Sequence, residues 1–170
     1  MASVDDYKKF ITGAIESHRE YITVELYHSE FSETLRFVKD RQDATLTLES
    51  TAPRDPSSSV LFKAIAMEVN DPTGSGDAEQ VLTVKLGAVG GEVNDKYQEI
   101  TDFTESVQLI YRKFYSGNLT EPVLVLTMYV SDINFESYEK VTIMAEDVNF
   151  AVKRAGEIYT IERFAGLKRL

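Results

Sequence analysis

The chain has 170 residues, 43% of them apolar and 27% charged, a balance that predicts one globular domain with a buried core. Its formal net charge of −10 argues against nucleic-acid binding, which requires clustered Lys and Arg to neutralise phosphates. The chain has no cysteine, which excludes disulfide frameworks, thiolate metal sites and cysteine nucleophiles. We find neither a secretory signal nor an apolar run of the roughly 20 residues that span a bilayer, so we expect no export and no membrane span.

The first predicted element is an amphipathic helix over residues 3–18. Ser3 is a suitable cap, and apolar side chains recur at helical spacing from Tyr7 through Ile11 to Ile15. So short a helix is marginal alone in water, so its apolar stripe is expected to cover its own domain or a neighbouring subunit. Residues 1–20 are thus predicted to form a helical extension, with Tyr7 and Ile11 as candidate subunit contacts.

From Tyr21 onward the apolar period changes to two, which is typical of strands. The predicted strands begin at Tyr21 and continue at Leu35–Phe37, Ala44–Leu48, Leu61–Val69, Leu82–Leu86, Val107–Tyr115, Pro122–Val130 and Lys140–Val148. Turn-forming residues separate them at roughly ten-residue spacing, which favours an antiparallel β-sandwich or barrel. One helix over residues 94–105, capped by Asn94 or Asp95, is expected to pack on this mainly β fold.

The predicted strand Pro122–Val130 is apolar on both faces, so we expect both faces to be covered. The core would cover one face. The other would be covered by a helix of the same chain or by a symmetry-related subunit. A set of aromatic residues on this strand and the preceding one is expected to pack in the core rather than against a partner: Tyr111, Phe114, Tyr115 and Tyr129.

The sequence offers little catalytic chemistry. The two histidines, His18 and His28, lie on different predicted elements and have no partner at metal-ligand spacing. Gly74-x-Gly76 and the run from Gly87 to Gly91 lack the remaining features of nucleotide-binding loops and are expected to be loops. No pair among the 28 acidic residues stands out as a general acid and base. We therefore expect no enzyme and no catalytic, cofactor-binding or metal-binding residues.

The C-terminal stretch from Tyr159 to Leu167 reads Tyr-Thr-x-Glu-x-Phe-x-Gly-Leu. It resembles the closing signature of an uncharacterised-domain family of phage minor tail proteins, in which Pro stands where this chain has Ala165. Three earlier segments are similar to that family's opening strands: Val24–Phe31, Leu35–Asp40 and Thr45–Glu49. The resemblance spans about residues 22–167, so the helix of residues 3–18 is expected to be an addition in front of the family domain.

The resemblance implies a structural protein at the tail tip of a long-tailed phage, of the upper baseplate hub or distal-tail type. Such a protein would form a homo-oligomeric ring, a trimer or hexamer, that links the tail tube and tape measure to the hub and the receptor-binding apparatus. It would be made in the host cytoplasm and reside in the virion. Residues 21–157 would form a tail-tube-like β-sandwich domain and residues 158–170 a C-terminal arm. The arm would dock through four apolar side chains: Tyr159, Ile161, Phe164 and Leu167.

DNA would pass through such a ring without specific binding. An acidic channel wall suits that passage, because like charges keep the phosphate backbone from adhering. The candidate segments for the wall are Asp40–Asp43 and Asp71–Glu79, which both lie in predicted loops.

Two alternatives stay open. A tail-tube or tail-terminator protein would use a similar sandwich, and a tube protein would stack into cylinders instead of stopping at one ring. A carbohydrate-binding sandwich module would need a platform of exposed aromatic side chains, and this chain has no Trp.

Overall fold

The computed structural model describes Lys8, Thr12 and residues 19–70, 81–102 and 104–147. These residues form nine strands and one helix. The strands are β1 (Glu20–Tyr27), β2 (Leu35–Val38), β3 (Ala44–Thr47), β4 (Ser59–Ala64), β5 (Met67–Asn70), β6 (Val81–Gly87), β7 (Gln108–Tyr115), β8 (Leu124–Phe135) and β9 (Lys140–Glu146). The helix α1 (Gly90–Tyr97) connects β6 to β7. The prediction of a mainly β protein is confirmed.

The strands form one sheet in the order β3-β4-β2-β1-β7-β8-β9-β6-β5, which does not close into a barrel. All neighbouring strands are antiparallel except β2 and β4, which run parallel with Phe37 opposite Lys63. The prediction of purely antiparallel pairing is therefore wrong at this one pair. The reason is that β3 and β4 form a hairpin whose second strand lies beside β2, and two reversals of direction leave β4 running the same way as β2.

Two apolar clusters lie on opposite faces of the central strands β1, β2 and β7. Val24, Phe37 and Tyr111 belong to the larger cluster, which also receives side chains from β5, β6, β8, β9 and α1. Tyr21 and Phe114 belong to the smaller cluster, which lies under the β3–β4 hairpin. The central strands are therefore covered on both faces, which explains their near-continuous burial.

The predicted strand Leu61–Val69 is two strands. β4 ends at Ala64 and lies between β3 and β2, whereas β5 begins at Met67 and lies at the opposite end of the sheet beside β6. Backbone hydrogen bonds to β2 and β6 fix the two residues between them. Ile65 N–H donates to Val38 O, and Ala66 O accepts from Gly87 N–H. Only two residues therefore separate β4, the second strand of the sheet, from β5, the strand at the opposite edge.

Helix α1 begins at Gly90, not near Asn94, and it ends at Tyr97, not at residue 105. Its first turn packs on the β8–β9 hairpin, where Gly91 N–H donates to Tyr138 O at 2.7 Å. A Cβ atom at Gly90 would lie 2.7 Å from that same carbonyl oxygen, so only glycine allows this approach. The prediction that the run from Gly87 to Gly91 is a loop is wrong, because Gly87 ends β6 and the other two glycines start the helix.

Candidate assembly surface

All six predicted subunit contacts lie outside the described residues: Tyr7, Ile11, Tyr159, Ile161, Phe164 and Leu167. Of the predicted N-terminal helix, only Lys8 and Thr12 are described. The loop containing Gly74 and Gly76, the acidic segment Asp71–Glu79 and the predicted C-terminal arm also lie outside them. These expectations therefore stay predictions.

The acidic segment Asp40–Asp43 is described, and it lies among basic side chains. Asp40 Oδ2 is 3.3 Å from Arg19 Nη2, and the neighbouring Lys39 and Arg41 are exposed. Asp43 Oδ1 accepts a hydrogen bond from Ala64 N–H, which ties this turn to the end of β4. The turn therefore presents mixed charge to solvent, and it is a poorer candidate for an acidic channel wall than its sequence suggests.

Strand β8 is the long apolar strand of the sheet, and much of it is exposed. It runs from Leu124 to Phe135, five residues beyond the predicted end, with a register shift between Val130 and Asp132. Met128 is the one buried residue of this strand. The prediction that both faces of this segment are covered is not met by the described residues. Correspondingly, Tyr129 is 36% exposed, while the other three aromatic residues of its predicted core set are buried.

Three exposed apolar side chains and two carboxylates stand interspersed on the outer face of β6, β8 and β9. In the strand register, Glu146 of β9 stands between Val81 of β6 and Tyr129 of β8. Two residues earlier on the same face, Met144 stands beside Asp132. Val81, Tyr129 and Met144 are 39%, 36% and 37% exposed. We call these five residues the outer patch.

A buried ion-pair network lies in the other half of the sheet, at the central strands β1, β2 and β7. Arg112 of β7 is fully buried and donates from Nη1 to Glu25 Oε2 of β1 at 2.7 Å. It also donates from Nε and Nη2 to both carboxylate oxygens of Glu49, each at 2.7 Å. Arg36 of β2 lies 3.6 Å from Glu25 and bonds Asp55 at 2.9 Å. The network therefore fastens the segment between β3 and β4 to the face of the central strands.

The two carboxylates bound to Arg112 have pKa values shifted in opposite directions. Burial raises the pKa of Glu25 although Arg112 and Arg36 favour its charged form. Burial would also raise the pKa of Glu49, but the hydrogen bonds and charge of Arg112 outweigh it and the pKa is lowered. The difference follows from geometry, because Glu49 receives a bidentate pair while one oxygen of Glu25 has no partner among the described residues.

A second polar clasp joins the β1–β2 loop to the segment after α1. Glu99 accepts hydrogen bonds from the backbone N–H and the hydroxyl of Ser32, and it pairs with Lys96 at 2.9 Å. In the reverse direction, Glu30 of the β1–β2 loop accepts from the backbone N–H and hydroxyl of Thr101. The Ser32 N–H and Lys96 lower the pKa of Glu99 to about 2. Each of the two segments thus contributes one carboxylate that accepts hydrogen bonds from the other segment.

His28, the one described histidine, is buried, and its Nδ1 accepts a hydrogen bond from Glu30 N–H. Within the described ranges, no group of three or more His, Cys, Asp or Glu side chains is arranged to hold a metal ion. The same part of the chain contains no helix long and apolar enough to cross a membrane.

The fold is thus that of a mainly β protein built on one open, mixed sheet. The chain belongs to the family described as "Domain of unknown function (DUF1833)", whose model matches residues 9–158. The match begins inside the predicted N-terminal helix and ends before Tyr159. The pattern from Tyr159 to Leu167 therefore lies beyond it. No curated protein matches this chain.

Proposed function

We propose that this protein is a structural component of the tail tip of a long-tailed phage, where it forms a ring between the tail tube or tape measure and the hub. The proposal starts from the resemblance of Tyr159–Leu167, and of the strands after Val24, to phage minor tail proteins. The protein would assemble in the host cytoplasm and reside in the virion.

The observation that carries the proposal is the exposed outer face of β8. This strand lies between β7 and β9 in the sheet, yet its Tyr129 is exposed in a single copy of the chain, as are Met144 and Val81 on the next two strands. Exposed apolar side chains that adjoin one another mark interaction sites more often than isolated ones do. A ring subunit needs such a surface for its neighbour, because each copy in a closed ring contacts two others.

The charge of the chain fits a channel through which DNA passes without specific binding. The formal net charge is −10, and like charge on a lumen wall would repel the phosphate backbone. The mixed charge around Asp40 favours the segment Asp71–Glu79 as the better candidate for the wall. Replacing Asp77 and Glu79 by Lys should slow DNA transit and leave particle assembly normal.

The oligomeric state tests the proposal directly. Native mass spectrometry of the purified protein should give one closed species, a trimer or a hexamer. A tail-tube protein would instead form cylinders visible by negative-stain electron microscopy. A protein that stays monomeric at every concentration would contradict ring formation. Genes for a tape-measure protein and a large hub protein on either side of this gene would support the tail-tip position.

Deletion of residues 158–170 tests the predicted arm. Its apolar side chains, among them Phe164 and Leu167, are too few to form a core of their own, so the truncated protein should keep its circular-dichroism spectrum and lose its place in the tail. The measurement is complementation of a phage that lacks the gene. Infectious particles made with the truncated protein would show that the arm is not needed.

A further inference from the structure

Charge divides unevenly between the folded body and the C-terminal segment of this chain. Residues 148–170 carry five basic side chains, at Lys153, Arg154, Arg163, Lys168 and Arg169, and two acidic ones, at Glu157 and Glu162. This segment is therefore positively charged, although the chain as a whole has a formal net charge of −10. A basic segment with interspersed apolar residues is complementary to an acidic surface that also exposes apolar side chains.

The outer patch is such a surface. Its carboxylates, Asp132 and Glu146, have no ion-pair or side-chain hydrogen-bond partner among the described residues. Its apolar members, Val81, Tyr129 and Met144, flank these carboxylates in the strand register. The arm carries Arg163, Lys168 and Arg169 among apolar residues such as Phe164 and Leu167, so both of its side-chain types would be matched there.

The place where the described chain ends bears on which copy supplies the segment. Glu146 is the last residue of β9 and belongs to the outer patch itself. Residues 148–157 then separate the patch from the predicted arm, and ten extended residues reach up to about 33 Å. That length is enough to reach an adjacent copy. Docking of the arm on its own patch would instead require these ten residues to close a loop.

We infer that the outer patch is the docking site for the C-terminal arm, residues 158–170, of a neighbouring copy of this chain. Apolar arm residues such as Phe164 contact Val81, Tyr129 and Met144, and the basic residues of the arm pair with Asp132 and Glu146. The inference deepens the proposed ring assembly and rests on it in so far as the two partners are copies of one chain. Each subunit then both gives an arm and receives one, which closes a ring with a single type of contact.

The absence of cysteine from the chain permits a clean cross-linking test on the full-length protein. Two single-cysteine variants, Met144→Cys and Phe164→Cys, are mixed and oxidised in air, and disulfide-linked heterodimers are measured by mass spectrometry. Because each protein has one thiol, a heterodimer forms only between copies. The matched control replaces Met144→Cys by Leu61→Cys, whose site on β4 is 61% exposed and lies outside the patch.

The inference predicts severalfold more heterodimer with Met144→Cys than with Leu61→Cys. Equal amounts, or none, would overturn it, provided that circular dichroism shows both variants folded; Val81→Cys serves as a second patch variant. The double variant Met144→Cys/Phe164→Cys tests the alternative that the arm docks on its own chain. If its disulfide forms only within one chain, the arm folds back on its own body and the inference is wrong.

Charge reversal tests the electrostatic part of the contact. Glu146→Lys should lower the heterodimer yield roughly two- to fivefold, the size expected for loss of one exposed ion pair. Glu121→Lys makes the same charge change at an exposed loop residue outside the patch and should leave the yield unchanged. An equal drop in both variants would show that net charge alone governs association. Incorporation into virions is measured separately, so a failed cross-link and a failed tail-tip role remain distinguishable.

Discussion

Replacement of Arg112 by Met should destabilise the fold far more than the loss of an ordinary ion pair. Arg112 is fully buried and is the shared partner of two carboxylates that come from distant parts of the chain, Glu25 and Glu49. Met fills most of the space but leaves both carboxylates without their main donor. Glu25 would retain only Arg36, whose Nε lies 3.6 Å away.

Breaking a buried ion pair by removing one partner costs about 3–5 kcal/mol. For a chain of this length, each kcal/mol corresponds to roughly 2–4 °C in melting temperature, so a loss on the order of 10 °C is expected. Urea unfolding at pH 7, followed by circular dichroism, measures the free energy directly. Removal of the arginine raises the folded-state pKa of Glu25 further. The variant then loses stability as the pH rises through that value. The free energy of unfolding of Arg112→Met should therefore differ less from that of the wild type at pH 5 than at pH 7.

The matched control is Lys63→Met, which removes an exposed ion pair with Glu92 of similar length, 2.6 Å. Exposed pairs contribute about 0.2–1 kcal/mol, so this variant should remain close to the wild type. Adding Glu25→Gln to Arg112→Met should recover part of the loss, because the amide has no charge to bury. The reasoning is refuted if Arg112→Met and Lys63→Met destabilise the protein equally.

Two further predictions concern the clasp and the helix start. The folded-state pKa of Glu99 is about 2, below its ordinary value of 4.5, so the stability it provides is present above pH 4.5 and is lost as the pH falls through 2. Glu99→Gln should flatten this part of the acid unfolding curve, and an NMR titration that finds an ordinary pKa would contradict the assignment. Gly90→Ala should destabilise the protein by about 1–3 kcal/mol, because its Cβ would meet backbone oxygen. Gly91→Ala should cost less, because the atoms in its way belong to the exposed ring of Tyr138, which can move. Thermal melts of the two variants give the comparison, and a stabilised Gly90→Ala would be the contrary result.

Strand positions follow closely from the sequence where one face of a strand is buried and the other is solvated. In β6 and β9, buried apolar residues alternate with exposed or half-buried ones, as Leu82, Val84 and Leu86 illustrate, and the exposed positions are polar except at Val81 and Met144. The period of two is imposed by the backbone itself, so it is visible without knowledge of the neighbours. The same signal cannot show where a continuous run is divided, which is why Leu61–Val69 was predicted as one strand.

Helix α1 illustrates the opposite case. Glycines disfavour a helix interior, so the sequence pattern places the helix start after Gly91, yet these residues form the first turn. The contact that decides it comes from Tyr138, on a hairpin 47 residues away in the chain. Such a contact outweighs the local helix propensity, and the residues around Gly90 and Gly91 contain no pattern that predicts the contact.

The sequence by itself determined the class of the fold, the strands whose faces differ in polarity, and the acidity of the chain, because these depend on composition and on local backbone period. Only the tertiary structure decided that β4 lies parallel to β2, that Arg112 meets Glu25 and Glu49, and that the outer patch exists. The patch arises from the register of β6, β8 and β9. In the ion-pair network, Arg112 is separated along the chain from Glu49 by 63 positions and from Glu25 by 87 positions. Register and long-range pairing depend on how all strands pack at once, so they cannot be read from any one segment.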